Sequence, residues 1–309
     1  MIKRISVITS TMALAAATLS GCSLQTQTSS EPTASTESEI IGGVATNDPK
    51  YQAVGAIYVE IPYYGFFEMI CSATLVGPQA ILTARHCTPV IELAMYLGGT
   101  SYMVFGANAF APDQMVPIVD FVNAPPSPNH PGLLGDGGRD MAVAHLASAP
   151  EGITPAKLGR FDRNDLHEKF QLVGYGASNA DFFVGEKFVG KAKATADRGR
   201  WYRLLFEGSK QRFENWYFTD AATNPTQAEA DAWWDGFPLE PKYEVVLEGK
   251  SVACFGDSGG PMLQGTNASN MTTYGVSFAV EGSIANLCDH GSGYAVLNKE
   301  MLDFVKANL

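Results

Sequence analysis

Cys254-Phe255-Gly256-Asp257-Ser258-Gly259-Gly260-Pro261 sets a serine among glycines with an aspartate before it. That is the arrangement an acyl-transfer nucleophile needs, and Ser258 is the candidate. The backbone amides of Gly256 and Ser258 can turn toward one point, where a tetrahedral oxyanion would form. The small neighbours let a substrate backbone approach closely. Asp257 is unexpected beside a site that must hold negative charge, unless a cation from elsewhere in the chain pairs with it. A glycine-rich turn that merely contains Asp and Ser is the plain alternative. The cysteine in front and the proline behind weigh against it.

The octet resembles the nucleophile segment of the trypsin/chymotrypsin family of serine endopeptidases. Three further stretches resemble the family's other markers, in the family's chain order: Ile40-Ile41-Gly42-Gly43, Thr83-Ala84-Arg85-His86-Cys87 and Asp140-Met141-Ala142-Val143-Ala144-His145-Leu146. The resemblance implies an all-β fold of two packed antiparallel β-barrels, each of the six-stranded type, with a C-terminal helix. It places the site in the cleft between them. His86 and Asp140 would come from the first barrel, and Ser258 and its oxyanion hole from the second.

Each role has a chemical reason. An imidazole changes protonation near neutral pH, which suits taking the Ser258 proton and returning it to the leaving amine. An acid at the head of an apolar strand is costly unless paired; the resemblance gives Asp140 the task of orienting His86. Asp136, inside Gly135-Asp136-Gly137-Gly138, is the rival and reads as a loop residue. His130, His145, His167 and His290 lack the context of His86 and read as surface or structural residues. Arg85 stands where most family members carry a small residue, and is expected to point outward.

The chain begins Met1-Ile2-Lys3-Arg4, followed by an apolar run from Ile5 to Leu19. Two charges before a short apolar core read as a secretory signal, not a membrane span. Leu19-Ser20-Gly21-Cys22 resembles a bacterial lipobox, which implies a lipid on Cys22 and firm anchoring. Ser23 in the next position leans toward the outer membrane. The expected divisions are a signal at 1–21, a flexible tether and pro-segment at 22–39, and a protease domain at 40–309. The tether is nearly devoid of apolar residues and cannot offset its chain entropy by burial.

In the family, cleavage before Ile40 frees an α-ammonium that pairs with the aspartate preceding the nucleophile, here Asp257. That explains the awkward acid. Glu39 precedes the cut, which argues for a Glu-tolerant activating protease or an atypical mode of activation. Cleavage would also part the body from its anchor, so the protein is expected at the membrane, released, or both.

Of 5 cysteines, Cys22 is assigned to lipid. The remaining four allow three pairings, and the resemblance selects Cys71–Cys87 and Cys254–Cys288. Export makes disulfides plausible. No Cys-x-x-Cys spacing or metal-ligand cluster is present, so neither a metal nor a cofactor is expected. The formal net charge of −11 disfavours nucleic acid as a partner. Protein or peptide substrates and a monomeric state are expected.

Within the body, short strands with Gly/Pro turns recur. They are read at Ala53–Glu60, Met69–Val76, Ala80–Thr83, Tyr102–Phe105, Val116–Val122 and Met141–Leu146, then Phe170–Gly174, Trp201–Phe206, Tyr243–Leu247, Thr272–Val280 and Gly293–Val296. The first barrel is placed at about 40–150, the second at about 151–297, and a helix at 298–309. Residues 177–250 exceed the family's usual length and hold all 4 tryptophans. They read as a packed surface insertion, with a short helix at Pro225–Trp234.

By the resemblance, Val252, with Ala253 beside it, forms the floor of the primary substrate pocket. A valine floor cannot pair with Lys or Arg, so a small or apolar side chain is expected before the scissile bond. Phe278 and Ala279 form the pocket wall, and Ser277 lies on the strand that runs along the substrate and touches the triad aspartate. The reading is a serine endopeptidase made as a zymogen. Its rivals are a protease-like binding or adhesion protein and an esterase using the same triad.

Overall fold

The computed structural model describes residues 40–126, 137–177, 184–197, 206–220, 226–236, 244–281, 288 and 291–309. Strand β1 (Val44–Ala45) comes first. The first barrel follows from β2 (Val54–Ile61), β3 (Phe66–Leu75) and β4 (Ala80–Thr83); after helix α1 (Thr88–Tyr96) come β5 (Thr100–Phe105), β6 (Gln114–Asn123) and β7 (Ala142–Leu146). Its order is β2-β3-β4-β7-β6-β5, closed by antiparallel pairing of β5 with β2.

The second barrel is built from β9 (Lys169–Gly174), β10 (Phe188–Asp197), β11 (Glu244–Gly249), β12 (Pro261–Gln264), β13 (Thr272–Glu281) and β14 (Gly291–Val296). Its order is β9-β10-β11-β14-β13-β12, closed where β12 meets β9. Strand β1 adds to β10, and the short β8 (Lys157–Leu158) runs parallel to β13. The two-barrel expectation holds, and most strand readings fall within two or three residues of the observed bounds.

The barrels are packed on each other through apolar clusters, because strands at their contact are buried on both faces. β2 and β3 turn Ile57, Val59, Cys71, Ala73 and Leu75 into their own barrel. Their other face sets Val54, Ala56 and Met69 against Val173, Tyr175 and Leu263 of the second. A second joint core gathers Leu82, Met141 and Val143 with Val276, Ala295 and Leu297. Helix α4 (Lys299–Ala307) closes it with Met301 and Val305. Asn298 caps α4, accepting from the Met301 amide at 3.0 Å. Glu300 in the first turn and Lys306 in the last suit the helix dipole.

The long middle stretch divides in two. β10 and β11 are staves of the barrel, joined at Ala192↔Gly249 through Asp197↔Val245. Between them lie α2 (Lys210–Asp220) and α3 (Gln227–Gly236). Phe206, Phe213 and Ala230 are buried with Ala196 and Val246 of the barrel, and Trp216, Tyr217 and Trp234 pack around them. The helix read at Pro225–Trp234 is α3. The strand read at Trp201–Phe206 ends in a turn at Phe206, and residues 201–205 lie outside the described set. So do residues 1–39 with Cys22 and Glu39, and also His130, Asp136 and His290.

Candidate active site

Strand β4 leads to His86, the candidate base. It ends at Thr83, and the chain then makes a tight turn over Arg85–Cys87. Thr83 pairs with Ala142 at the start of β7, which brings His86 and Asp140 to the same end of the barrel. Asp140 accepts twice from His86: the backbone amide reaches Oδ1 at 2.9 Å and Nδ1 lies 2.6 Å from Oδ2. A carboxylate only accepts, so the Nδ1 proton points at Asp140 and Nε2 keeps its lone pair. The Asp140 side chain is 10 % exposed and that of His86 41 %. The acid is therefore shielded while the ring faces outward.

The loop carrying Ser258 is pressed against this segment. A Cβ on Gly259 (φ +81°) would stand 2.1 Å from Thr83 Oγ1 and 2.8 Å from the Ala84 nitrogen. Only glycine fits. The Ser258 carbonyl accepts from the Ser72 amide at 2.8 Å and lies 4.0 Å from Cys87 Sγ. Ser72 also donates its hydroxyl to the Gly256 carbonyl at 3.0 Å and receives the Tyr175 amide at 3.1 Å. Ser72 is thus the positioning residue that sequence reasoning missed; its signal was a serine next to Cys71 in the buried half of the strand.

Ser258 Oγ and His86 Nε2 make no hydrogen bond among the described residues. In empty sites such bonds are often long and tighten with substrate. The amides of Gly256 and Ser258 also donate to nothing among the described residues. Their neighbours are all engaged: Asp257 N to Cys254 O at 3.0 Å, Gly259 N to Ser277 O at 2.7 Å, and Gly260 N to Asp257 O at 2.8 Å. Two unused donors in one turn match the requirement for an oxyanion hole.

Asp257 is 2 % exposed. Its carboxylate accepts from the amides of Gly176 at 2.8 Å and Cys254 at 2.9 Å. Burial pushes its pKa up to about 7, against the pull of those two amides. No cationic side chain pairs with it among the described residues. Ile40 is 1 % exposed, and Ile41 bridges Val252. The Val252 amide donates to Ile41 O at 3.1 Å and Ser251 Oγ to Gly42 O at 3.0 Å. Ile40 shares an apolar cluster with Tyr294. The Tyr294 hydroxyl is raised above its usual pKa, first by burial and then by the charge of Asp257.

Val252 and Ala253 are buried. Val252 packs with Ala177, Cys254 and Cys288, and Val280 lies against the group. Phe278 is the extra residue of a bulge between Ser277 and Ala279, which aims it at the Met141 and Val143 cluster. Ser277 hydrogen-bonds Gly260 and Gly259 through its backbone. No hydrogen bond joins its side chain to Asp140 among the described residues. Ser277 stands opposite Tyr294 in the β13–β14 register, and its hydroxyl pairs with that phenol instead.

Both expected disulfides, Cys71–Cys87 and Cys254–Cys288, are formed. The sulfurs of Cys71 and Cys87 cluster with His86, but bonded to each other they offer no thiolate to a metal. His145 is engaged at both ring nitrogens, by Asp120 and by the Asn308 carbonyl. His167 sits in an exposed turn. Neither competes with His86.

Residues 40–186 match the family model described as Trypsin. That span takes in His86 and Asp140 and ends before Ser258. Among solved structures, the chain resembles neuropsin, a serine protease expressed in the limbic system of mouse brain. The TM-score is 0.56 at 15% identity, over 86% of this chain and 99% of that one. It also resembles a chain titled GrC, with TM-score 0.55 at 15% identity, over 87% of this chain and 98% of that one. No curated protein matches at the sequence level.

Proposed function

A trypsin-family protein by its residues 40–186, this chain is, we propose, a serine endopeptidase that works through Ser258, His86 and Asp140. The observation that carries the reading is the double hydrogen bond from His86 to Asp140, at 2.9 and 2.6 Å. It fixes the ring with Nε2 free to act as base. Ser258 Oγ gives its proton to that nitrogen as it attacks the scissile carbonyl. The oxyanion settles on the amides of Gly256 and Ser258, each worth roughly 3–4 kcal/mol of transition-state stabilisation. His86 then protonates the leaving amine, and the C–N bond breaks to leave an acyl-Ser258. Water, deprotonated by His86, attacks the ester and restores the serine.

The primary pocket is assigned to Val252, Ala253, Phe278 and Ala279, and a small or apolar side chain is its substrate. Asp257 and Ile40 form the activation pair once the chain is cut before Ile40. Among the described residues no cationic side chain pairs with the buried Asp257, and an ammonium at Ile40 would supply a cation. Upstream, Cys22 carries lipid in an exported precursor. A library of peptides varied at the residue before the cut tests the pocket assignment. Preference for Lys or Arg there would overturn it.

A further inference from the structure

Among the described residues, the Asp140 carboxylate accepts from no donor except those of His86, at 2.9 and 2.6 Å. Both bonds run to the residue that the acid is there to orient. An acid that fixes a base needs a fixed position of its own. Here that position has to come through the main chain on either side of Asp140.

On the C-terminal side the anchor is apolar. Met141 is fully buried, in the cluster that joins Val276 and Leu297 to Met301 and Val305 of α4. Its amide donates to Arg139 O at 2.8 Å, and its carbonyl accepts from the Ala124 amide at 2.9 Å.

On the N-terminal side the anchor is ionic. Gly137–Arg139 make one tight turn, and two carboxylates from beyond the first barrel grip it. Glu244, at the start of β11, accepts from the Gly138 amide at 2.7 Å. Glu300, in the first turn of α4, holds Arg139 with Oε1 2.8 Å from Nη1. The Arg139 side chain is 10 % exposed. A cation so enclosed depends on its carboxylate, because an unpaired buried charge is costly. The ion pair therefore pins the residue before Asp140 to α4, the helix whose buried face shares a cluster with the residue after it.

The two bonds to His86 make this placement demanding. One goes to a backbone amide and the other to a ring nitrogen. A shift of the carboxylate by about 1 Å would keep one at the expense of the other and tilt the ring. Misplacement of that size costs up to about 10²-fold in rate.

We propose that Arg139 and Glu300 are positioning residues: their ion pair seats Asp140 so that both of its oxygens meet His86, with α4 as the fixed post. They act through Asp140 and not on substrate. This rests on the triad reading above.

The test uses the chain beginning at Ile40 and four variants of it. Glu300→Ala removes the partner of Arg139. Glu300→Gln keeps an acceptor of the same reach without the charge. Lys299→Gln and Asp303→Asn break the neighbouring ion pair on the same helix, and so report what a weakened α4 does by itself. On a peptide with a small apolar residue before the cut, Glu300→Ala should lower kcat about 10- to 100-fold and leave KM unchanged. It should slow fluorophosphonate labelling in parallel, and move the low-field proton resonance of His86 Nδ1 to higher field or broaden it. Glu300→Gln should restore most of the rate and the resonance. The Lys299 and Asp303 variants should match the parent in both, whatever their melting temperatures. Should Glu300→Ala fail to fold, Glu300→Asp takes its place with the same expected loss, since it keeps the charge but falls short of Arg139.

Glu300 variants with the parent's kcat and resonance would overturn the proposal and leave the triad standing. So would an equal loss in the Lys299 and Asp303 variants, which would trace it to helix stability. A loss that Glu300→Gln does not restore, and that about 1 M salt abolishes by screening, would trace it to the unbalanced charge of Arg139 and also overturn the proposal. A folded parent that fails to label would sink the triad reading as well.

Discussion

The carboxylate of Asp257 rests on the backbone of Gly176, whose amide donates to its Oδ1 at 2.8 Å. A Cβ on Gly176 would stand 2.5 Å from the Asp257 nitrogen and 2.6 Å from its Cγ. The glycine therefore sets where Asp257 lies and, one residue on, where Ser258 lies. Gly176→Ala should cost about 1–3 kcal/mol of stability by crowding. It should also slow fluorophosphonate labelling, because Asp257 has to move. Melting and labelling rates check this; an alanine variant that labels like the parent would show that the loop does not depend on the contact.

Burial of Asp257, with no cationic side chain paired to it among the described residues, predicts a particular pH dependence before cleavage. Its pKa is raised to about 7 in the folded chain, so between about pH 4 and 7 the folded state holds a proton that the unfolded state has released. The stability of the uncleaved chain should fall across that window, by up to a few kcal/mol. Asp257→Asn should flatten the fall. In the chain starting at Ile40, the ammonium pairs with the carboxylate and the fall should vanish. The paired ammonium then has a raised pKa. Activity is present below it and is lost as pH rises beyond the usual α-amino value of about 8. Thermal melts from pH 4 to 10, on Ser258→Ala backgrounds, measure the stability terms. An activity profile flat to strongly alkaline pH would contradict the pair.

Asp140→Asn tests the orienting role of the acid. The asparagine carbonyl can accept from only one of the two His86 donors; kept on the backbone amide, it leaves the NH2 facing Nδ1, which favours the tautomer with the proton on Nε2. The turnover number should drop by about 10⁴-fold while the melting temperature changes little. A loss below tenfold would mean that His86 is held by something else.

Lys187 is a separate liability. Its ammonium is buried, 3.4 Å from the Tyr51 carbonyl and 5.4 Å from the centre of the Tyr175 ring. Burial lowers its pKa to about 8, with Asp113 offsetting part of the effect. The unfolded state then binds the proton more tightly, so stability should rise as pH climbs from about 8 to 10.5. Lys187→Met should remove that dependence and stabilise the protein by about 1–3 kcal/mol at neutral pH. An unchanged melting temperature in the variant would contradict the burial cost.

The candidate site residues are legible because their neighbours are constrained. Gly259 admits no side chain beside Thr83 and Ala84, and the cysteines adjoin His86 and the nucleophile loop, so the short motifs leave a fixed imprint. Strand β4 was read to the residue, since Ala80–Thr83 is buried throughout and bounded by a Gly-Pro turn and the His86 turn. Strand β10 was overlooked although its burial alternates cleanly, with Lys191 and Lys193 outward and Ala192 and Ala194 inward. Its length was absorbed into an assumed insertion. Helix α1 was missed because nine residues with few charges show little periodicity. Ser72 and the Ser277–Tyr294 pairing are contacts between segments far apart in the chain, and no local pattern announces them.

Fluorophosphonate labelling of the chain beginning at Ile40, beside its Ser258→Ala counterpart, tests the central claim most directly. The account predicts that the first labels and the second does not. Equal labelling of both, or of neither in folded protein, would contradict a Ser258 nucleophile activated by His86 and Asp140.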